Sequence, residues 1–459
     1  MRRMRSGTAS PVRPKAACGR GVGLRSGSTA EPGSDATATA VAAALAELAP
    51  DGPLGIALSG GGDSAALLAL TVDWASRQGR AIAAATVDHR LRPDARTEAE
   101  AAGRLAARLG VPHAILTWEE GPGPGNLMAQ ARDARIRLLS AWAQAHGLAA
   151  VLTGHTLDDQ AETVLMRLAR GSGVDGLAGI PAAQRHGDTL FLRPLLSQRR
   201  SDLRQVLCAK GLGWIEDPTN ADPRFDRVRM RQALAVLAPL GIGAAGLAET
   251  AERLAGQRAV LESVAADLLA TARRWGGAGE ARLSLGLLCD AAPDTRFRAL
   301  SDTLQRIGGG DYRPRQAALE RMYQQIAASG AGTLAGCCFQ AKTGELAIWR
   351  EPSAAAPAVS QGAEVVWDGR WRLRFTGTWP RAVVGRLGER GLTALAACPD
   401  WGAPRAWADA PRGARAAAPA VFAEDELLAA PHGRFRSPSL PDSAGLSLED
   451  LAGSVLLAL

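Results

Sequence analysis

A strand, a glycine turn and a helix follow one another near the start of this chain, and this order constrains its fold more than any other feature. The apolar residues 54–58 lead directly into the turn, and the apolar residues 65–70 follow it. Glycine lets a backbone turn sharply and approach a ligand closely, and a helix start offers unpaired N–H groups and a positive dipole end. The segment therefore predicts a phosphate-binding loop, whose residues are Ser59, Gly60, Gly61, Gly62, Asp63 and Ser64.

Three phosphate-loop patterns compete for this turn. A Walker loop needs Lys directly before its Ser or Thr, where Asp63 stands. Gly60, Gly62 and Ala65 fit the loose dinucleotide fingerprint, with Asp88 as a ribose-binding acid, but short glycine patterns recur by chance. The pyrophosphate loop of the ATP-pyrophosphatase families, Ser-Gly-Gly-x-Asp-Ser, fits at every fixed position. We therefore expect an ATP-binding loop, with an ordinary structural turn as the alternative.

The composition narrows the class of protein. The chain has 459 residues, a formal net charge of +7 and a pI of about 9.5, and nearly all its cations are arginine. A basic surface suits nucleic acid, although a GC-rich genome gives the same bias. No run approaches the ~20 apolar residues of a membrane span. The cysteines form no C-x-x-C pair, which argues against zinc-ribbon and iron–sulfur sites and favours a reduced, cytoplasmic setting.

The pattern of apolar residues divides the chain into four parts. Residues 1–36 predict a disordered Arg-, Gly- and Ser-rich tail, and residues 37–230 predict an α/β domain. Residues 231–352 predict a mainly helical domain ending in a hairpin, and residues 353–459 a small α+β region with long loops after residue 402. Alternation of strands and helices implies a parallel five-stranded sheet with helices on both faces. The predicted strands are residues 54–58, 81–88, 111–118, 149–153 and 190–192; the predicted helices are residues 64–78, 95–109, 126–146, 157–170 and 198–210.

An acidic helix is the second strong signal. His155, Asp158, Asp159 and Glu162 are spaced so that they share one helical face, opposite an apolar face that includes Leu168. Neighbouring carboxylates repel by a few tenths of a kcal/mol per pair, so a cation is expected beside them. Mg²⁺, a ligand ammonium or an arginine would serve. Acids favouring a helix dipole are the alternative for the first two carboxylates. Zn²⁺ prefers His and Cys to such a stripe.

Arginine is concentrated between residues 185 and 231, where it outnumbers the acids. Such a stretch suits phosphate contacts, although a solvated charged face is the alternative. A glycine-rich loop over residues 171–179 is predicted to be a mobile closing segment or an ordinary surface loop. The arginines that we expect to contact phosphate or RNA are Arg170, Arg193, Arg199 and Arg227.

Together these motifs resemble the tRNA(Ile)-lysidine synthetase family, over about residues 50–240. The chain departs from the family pattern at Val228, where Asn is expected after arginine, and at Ile136, where an aromatic residue is expected. The matching pieces are Ser59–Ser64, Val87-Asp88-His89-x-Leu91-Arg92, Gly154-His155-x-x-Asp158-Asp159-Gln160-x-Glu162-Thr163, Arg193-Pro194-Leu195-Leu196 and Glu216-Asp217-Pro218-Thr219-Asn220.

The resemblance implies an adenine nucleotide alpha hydrolase-like fold and a two-step ligation. ATP would adenylate the wobble cytidine of a CAU-anticodon tRNA(Ile), and free L-lysine would then displace AMP. Asp159 and Glu162 would bind lysine, and Asp63 with Asp159 would hold Mg²⁺. The sequence is compatible with a homodimer and shows no membrane partner. The implied catalytic residues are Asp63, His155, Asp159 and Glu162, and the implied ATP-binding residues are the loop with Asp88, His89, Arg92 and Gly154.

Three rival functions remain open from the sequence. A tRNA 2-thiolation enzyme shares the loop but needs cysteine pairs, and adjacent Cys337 and Cys338 in a predicted strand are not such a pair. An NAD-dependent oxidoreductase leaves Ser59 and the acidic helix unexplained. A non-catalytic tRNA-binding protein does not need the acidic residues.

Overall fold

The computed structural model describes residues 32–216, 224, 226–310, 313–451 and 456–458. The chain divides into two compact units, Met1–Arg258 and Ala259–Leu459. The first helix begins at Pro32, so residues 32–36 of the predicted tail belong to this helix, and residues 1–31 lie outside the described residues. The predicted boundaries after residues 230 and 352 stay predictions.

The first unit alternates strands and helices as the sequence predicts. Its elements are α1 (Pro32–Leu48), β1 (Leu54–Ala57), α2 (Gly62–Gln78), β2 (Ile82–Asp88), α3 (Ala95–Arg108), β3 (His113–Thr117), α4 (Leu127–Ala145), β4 (Ala150–Leu152), α5 (Leu157–Leu168), α6 (Val174–Leu177), β5 (Ala183–His186), β6 (Thr189–Leu192), α7 (Arg200–Ala209) and α8 (Asp226–Leu237), followed by α9 (Ala244–Ala272), which runs across the unit boundary.

The predicted five-stranded parallel sheet is confirmed, with one addition. The strand order is β3-β2-β1-β4-β6-β5, and the first five strands in this order pair in parallel. β5 adds an antiparallel edge through its hairpin with β6. Because ligands bind at the carboxyl ends of parallel strands, the segments after β1, β2 and β4 define where a site can form.

Two apolar layers cover the sheet. On one side Leu67 of α2 and Leu203 of α7 belong to a core that includes Ile56 of β1. On the other side Trp142 of α4 packs with Val151 of β4. A Cβ at Gly55 would lie 2.6 Å from the Trp142 ring, so glycine in β1 lets the indole pack directly on the strand. This close packing fixes the strand whose carboxyl end carries the glycine loop.

The second unit is built on antiparallel sheets. Its elements are β7 (Arg273–Trp275), β8 (Ala281–Ser284), α10 (Leu285–Asp290), α11 (Pro293–Gly308), α12 (Gln316–Ser329), β9 (Ala331–Leu334), β10 (Cys337–Lys342), β11 (Glu345–Arg350), β12 (Val359–Ser360), β13 (Glu364–Trp367), β14 (Trp371–Thr376), β15 (Val383–Arg386), α13 (Gly388–Ala397), α14 (Arg405–Ala408), α15 (Arg412–Ala417), β16 (Pro419–Ala423), β17 (Glu426–Ala430), β18 (Phe435–Arg436), β19 (Gly445–Asp450) and β20 (Leu456–Ala458).

Two corrections concern this unit. The region predicted as mainly helical contains a five-stranded sheet, β7-β8-β11-β10-β9, although the predicted β10–β11 hairpin is confirmed. The predicted long loops after residue 402 are wrong, because strands β16 to β20 complete two further sheets there. The predicted hairpin of β13 and β14 is confirmed, and Trp371, Leu373 and Phe375 are buried on one face.

No single helix in the described part of the chain is long and apolar enough to cross a membrane. Two consecutive helical segments reach the length and apolar composition of a membrane span only when they are counted together, and they are bent by 99° relative to each other. These segments are Asp226–Leu240 and Ala244–Ala272.

Candidate active site

The glycine loop is held in shape by its own two serines. Ser64 Oγ accepts the Ser59 backbone N–H at 3.1 Å, lies 3.0 Å from Ser59 Oγ and donates to the Gly61 carbonyl. Gly61 caps α2 without any side-chain acceptor, so the N–H groups of the first helical turn have no side-chain partner there. Ser59 is exposed at the surface. The loop therefore has the form expected of a phosphate cradle and reaches the surface at Ser59, and its binding of phosphate stays a prediction.

Two neighbouring segments fix the position of this loop. Gly154, after β4, lies so close that a Cβ there would be 3.1 Å from both the Asp63 carbonyl carbon and the Ser64 nitrogen. The Ile215 N–H donates to the Gly60 carbonyl at 2.9 Å, and Gly60 has a φ of +81°, which favours glycine. The loop therefore takes its position from the sheet and from the segment before residue 216.

The acidic helix α5 begins with a capping box. Thr156 Oγ1 and its backbone N–H both donate to Asp159 Oδ2, at 2.9 and 2.8 Å. Asp159 and Glu162 are 6% and 1% exposed, whereas Leu168, expected on the buried face, is 55% exposed. The predicted apolar burial is confirmed at Ala161 and Val164 and wrong at Leu168, which is the last residue of α5, and the carboxylates are buried as well. Buried carboxylates require close cationic partners.

Arg200 supplies that cation. Its Nε donates to Asp63 Oδ2 at 3.2 Å, its Nη2 to Asp159 Oδ1 at 2.5 Å and its Nη1 to Glu162 Oε1 at 2.7 Å. Arg231 Nε also lies 3.1 Å from Glu162 Oε1. One guanidinium therefore joins the glycine loop to the acidic helix, so that the two predicted motifs form a single site.

The start of α7 holds Arg200 in place. Asp158 Oδ2, from α5, accepts the Arg200 backbone N–H at 2.8 Å, and the Leu157 N–H donates to the Gln198 carbonyl at 2.9 Å. Asp158 therefore satisfies a backbone donor that a helix start leaves unpaired. This fixes the Arg200 backbone while its side chain points at the carboxylates.

The charges of this cluster shift its pKa values in opposite directions. Burial alone would raise the pKa of Asp159, but Arg200 and the Thr156 backbone N–H outweigh it and hold that pKa below its usual value. Burial and the neighbouring Asp159 raise the pKa of Asp63, against the opposing charge of Arg200. Asp159 and Glu162 raise the pKa of Arg200 although burial opposes this. The guanidinium is therefore permanently charged at the centre of the acids.

His155 is half-buried beside the acidic helix. Its Nδ1 lies 3.0 Å from Thr153 Oγ1. Burial, assisted by the nearby Arg193, lowers the pKa of His155 to about 3, although Asp159 opposes the shift. The imidazole is therefore neutral near pH 7. The prediction that His155 takes part in proton transfer is weakened, because a base this weak does not retain a proton.

A cluster of arginines lies near His155, formed by Arg132, Arg135, Arg193 and Arg227. Burial and the neighbouring Arg132 and Arg135 lower the pKa of Arg193 to about 10. Arg227 Nη1 lies 3.8 Å from Asp159 Oδ1. Arginines that repel one another at the edge of a cleft attract polyanions.

The predicted phosphate arginines occupy different settings. Arg193 is 5% exposed, and its Nη1 and Nη2 donate to the Pro181 carbonyl and Gln184 Oε1. Arg199 is exposed at the start of α7, and Arg170 pairs with Asp226 at 3.3 Å. Two of the Arg193 nitrogens thus serve the fold, and the phosphate role of all these arginines stays a prediction.

The segment after β2 contributes polar groups at the same sheet edge. Asp88, 3% exposed, accepts the Arg90 backbone N–H at 2.9 Å. His89 packs edge-on against Trp118, and its Nδ1 is buried without a hydrogen-bond partner. Arg92 pairs with Glu98 at 2.9 Å. The roles of Asp88, His89 and Arg92 in binding ATP stay predictions.

The glycine-rich loop after α5 is tied to the helix. Gln160 Nε2 donates to the Ile180 carbonyl and its Oε1 accepts the Ile180 N–H, at 2.8 and 2.6 Å. Arg167 Nη1 donates to the carbonyls of Gly176 and Gly179. The loop also contains the short helix α6. These bonds favour an ordered surface loop over a mobile closing segment.

A magnesium site was predicted at Asp63 and Asp159. The described residues contain no group of three or more His, Cys, Asp or Glu side chains placed to hold a metal ion. Two carboxylates that share one cation, here the Arg200 guanidinium, nevertheless fit Mg²⁺, which commonly takes one or two protein carboxylates together with substrate phosphates.

Cavity size does not point to this site. A cavity of about 570 Å³ lies beside Gly52, Trp74 and Arg80. These residues flank the amino end of β1, whereas ligands of parallel sheets bind at the carboxyl ends. The chemistry of the loop and the acidic helix is the stronger indicator.

Sequence reasoning missed two arginines of the site. Arg200 and Arg231 were counted only as members of the arginine-dense stretch. Arg200 does follow the Arg193-Pro194-Leu195-Leu196 motif at a helix start, a signal that could have selected it. Of the predicted Glu-Asp-Pro motif, residues 217–220 lie outside the described residues, and Glu216 ends the described segment.

Comparison with known proteins agrees with this geometry. A family model described as a PP-loop domain matches residues 35–237. The fold and site thus define an ATP-using enzyme of the PP-loop class, with an adenine nucleotide alpha hydrolase-like fold.

The similarity extends well beyond this domain. The tRNA(Ile)-lysidine synthase of Ruegeria pomeroyi is 39% identical over 83% of this chain and 89% of its own length. That of Mesorhizobium japonicum is 37% identical over 83% and 85%, and that of Methylobacterium nodulans is 43% identical over 65% and 90%. The chain belongs to the tRNA(Ile)-lysidine synthase family.

Proposed function

We propose that this chain is a ligase that joins free L-lysine to C2 of the wobble cytidine of CAU-anticodon tRNA(Ile), using ATP and releasing pyrophosphate and AMP. The observation that carries the proposal is the Arg200 guanidinium, which contacts Asp63 of the loop and Glu162 of the acidic helix at 3.2 and 2.7 Å. A nucleotide at the loop and an amine at the acids would therefore meet in one site.

In the first half-reaction, the 2-oxygen of cytidine attacks the α-phosphate of ATP, and the bond to pyrophosphate breaks. The loop from Ser59 to Ser64 would hold the departing pyrophosphate through backbone N–H groups at the start of α2. Arg135 and Arg227, whose mutual repulsion an anion relieves, would attract the phosphates. An anticodon loop is already single-stranded, so exposing its cytidine costs little.

Magnesium fits this half-reaction. Asp63 and Asp159 would hold Mg²⁺, which neutralises charge on phosphate oxygens when bound. Asp63 lies within the loop itself and shares the Arg200 guanidinium with Asp159, so both carboxylates face the position where phosphate would lie.

In the second half-reaction, the ε-amine of lysine attacks C2 of the adenylated base and AMP leaves. Asp159 and Glu162 would receive the lysine ammonium, because they are the buried carboxylates beside the loop. The amine must lose a proton before it attacks. Burial lowers the pKa of His155 to about 3 and raises that of Asp63, so Asp63 is the better acceptor for that proton.

The rest of the chain would hold the tRNA body. We propose that residues 231–352 and 353–459 bind it through arginine–phosphate contacts, which predicts a steep salt dependence. The formal net charge of the whole chain, +7, agrees with binding to a polyanion such as tRNA. A 2-thiolation enzyme is disfavoured, because the described cysteines are free and include no C-x-x-C pair.

The direct test combines purified protein, ATP, radiolabelled lysine and a CAU-anticodon tRNA transcript. We expect label in the wobble nucleotide after nuclease digestion, together with one pyrophosphate released per lysine incorporated. A transcript with uridine at the wobble position is the control and should take up no label. Pyrophosphate release without lysine incorporation would overturn the ligase assignment.

A further inference from the structure

Arg200 occupies the acidic site with its own positive charge. Three of its nitrogens contact carboxylates from two elements: Asp63 at the start of α2, and Asp159 and Glu162 on α5. These carboxylates are the ones to which the proposed function assigns the lysine ammonium. The Arg200 guanidinium and the lysine ammonium are both positive and would bind the same carboxylate oxygens. Electrostatic repulsion therefore opposes their binding there at the same time.

One oxygen of the site is left for a further donor. Glu162 is 1% exposed, and its Oε1 accepts from both Arg200 and Arg231, whereas its Oε2 is buried without a hydrogen-bond partner. A buried carboxylate oxygen without a donor is destabilising, so an incoming N–H group is stabilised at this position. An ammonium can therefore make its first contact at Oε2 while Arg200 still holds Oε1.

The backbone and the guanidinium of Arg200 are held by different partners. Its backbone N–H is fixed to Asp158 Oδ2 at 2.8 Å, while the long side chain carries the guanidinium. Its Nε already contacts Asp63, next to Ser64 of the loop. A polyphosphate on the loop amides would offer the guanidinium anionic oxygens in the neighbourhood of Asp63, and arginine matches phosphate well.

We propose that Arg200 is a positioning residue that orders substrate entry: it occupies the lysine carboxylates until nucleotide is bound, and then transfers its guanidinium to the polyphosphate as the lysine ammonium enters. This inference rests on the proposed function. It makes lysine binding conditional on nucleotide, and it keeps other cations out of the acidic site while the loop is empty.

The test measures lysine affinity, not turnover. Equilibrium dialysis of radiolabelled lysine against the full chain, with and without a non-hydrolysable ATP analogue and Mg²⁺, gives the coupling between the two ligands. For the wild type we expect the analogue to tighten lysine binding about tenfold or more. For Arg200→Gln we expect lysine to bind without the analogue, with the coupling reduced to about one. The matched control is Arg77→Gln, an exposed arginine at the far end of α2, which should retain wild-type coupling.

The outcomes separate this inference from the proposed function. Unchanged coupling in Arg200→Gln, or loss of lysine binding with and without nucleotide, overturns the ordering role. If Arg200→Gln does not fold, Arg200→Lys tests the ordering role instead, because a single ammonium cannot bridge three carboxylates. Coupling equal to that of the wild type in Arg200→Lys would again overturn the ordering role. A wild type that forms lysidine but binds lysine equally well without nucleotide refutes only the ordering. A wild type that forms no lysidine refutes the proposed function itself.

Discussion

The Arg200 Nη1 lies 2.7 Å from Glu162 Oε1, although the two residues are 38 positions apart and belong to different helices. Glu162 lies on α5 after the fourth strand, and Arg200 begins α7 after the sixth. Their contact, together with that of Arg200 and Asp63, joins the acidic helix to the glycine loop. The fold thus brings together the two elements to which we assign the amine and the nucleotide.

Glu162→Gln should weaken the use of lysine while sparing adenylation. The amide removes the charge that attracts an ammonium, whereas the glycine loop is unchanged. We expect the KM for lysine to rise at least tenfold, with pyrophosphate release on the tRNA in the absence of lysine nearly unaffected. Glu100→Gln, an exposed acid on α3, is the control. An equal loss in both half-reactions would show that Glu162 does not act through lysine.

Gly154→Ala should disturb ATP binding. The added Cβ would lie 3.1 Å from the Asp63 carbonyl carbon and the Ser64 nitrogen, so the loop backbone must shift by a few tenths of an ångström. We expect the KM for ATP to rise about tenfold with little change in that for lysine. Gly173→Ala, where a Cβ meets no atom within 4 Å, should behave as wild type. Equal effects of the two substitutions would contradict the argument.

Acid should destabilise the protein through two histidines with lowered pKa values. Burial lowers the pKa of both His155 and His432 to about 3, whereas an unfolded histidine titrates near ~6.5. Between these values the unfolded chain binds more protons, so the free energy of unfolding falls as pH falls, by up to about 1.4 kcal/mol per pH unit for each imidazole. Chemical denaturation from pH 7 to 5 measures the slope. His432→Gln should make it shallower, and an unchanged slope would refute this origin.

Arginines of the C-terminal region should affect tRNA more than ATP. Truncation before residue 353 is a poor test, because Arg350 pairs with Asp368 at 2.8 Å across the cut. Substituting the exposed Arg381 and Arg405 by Glu leaves that pair intact. We expect the KM for tRNA to rise several-fold, and its salt dependence to become less steep, with the KM for ATP unchanged. An unchanged KM for tRNA would show that these two arginines do not contact the tRNA.

Local sequence patterns predicted the strands and helices that form the candidate site. The strands that these patterns missed depend on pairing with distant parts of the chain. The five parallel strands contain apolar runs from which they could be predicted. β5 has the sequence Ala-Gln-Arg-His, which does not predict a strand, and it is a strand because it pairs with β6. β17, Glu-Leu-Leu-Ala-Ala, has a composition typical of helix and is a strand because β16 and β18 flank it.

The same limit applies to the site. The spacing of Asp159 and Glu162 predicted a cationic partner of the acidic helix, and this is confirmed. Which cation it is depends on how α7 approaches α5, and no local pattern contains that information. The position of Arg200 at a helix start is a weak local signal, and its contact with three carboxylates identifies it as the partner.

The hydrogen bond from Ile215 to the Gly60 carbonyl connects the nucleotide loop to the chain that leads into the Glu-Asp-Pro motif. Because Gly60 has a φ of +81°, which favours glycine, this hydrogen bond holds the loop at its least substitutable residue. A displacement of Ile215 would therefore act directly on the backbone of the glycine loop, without any side chain in between.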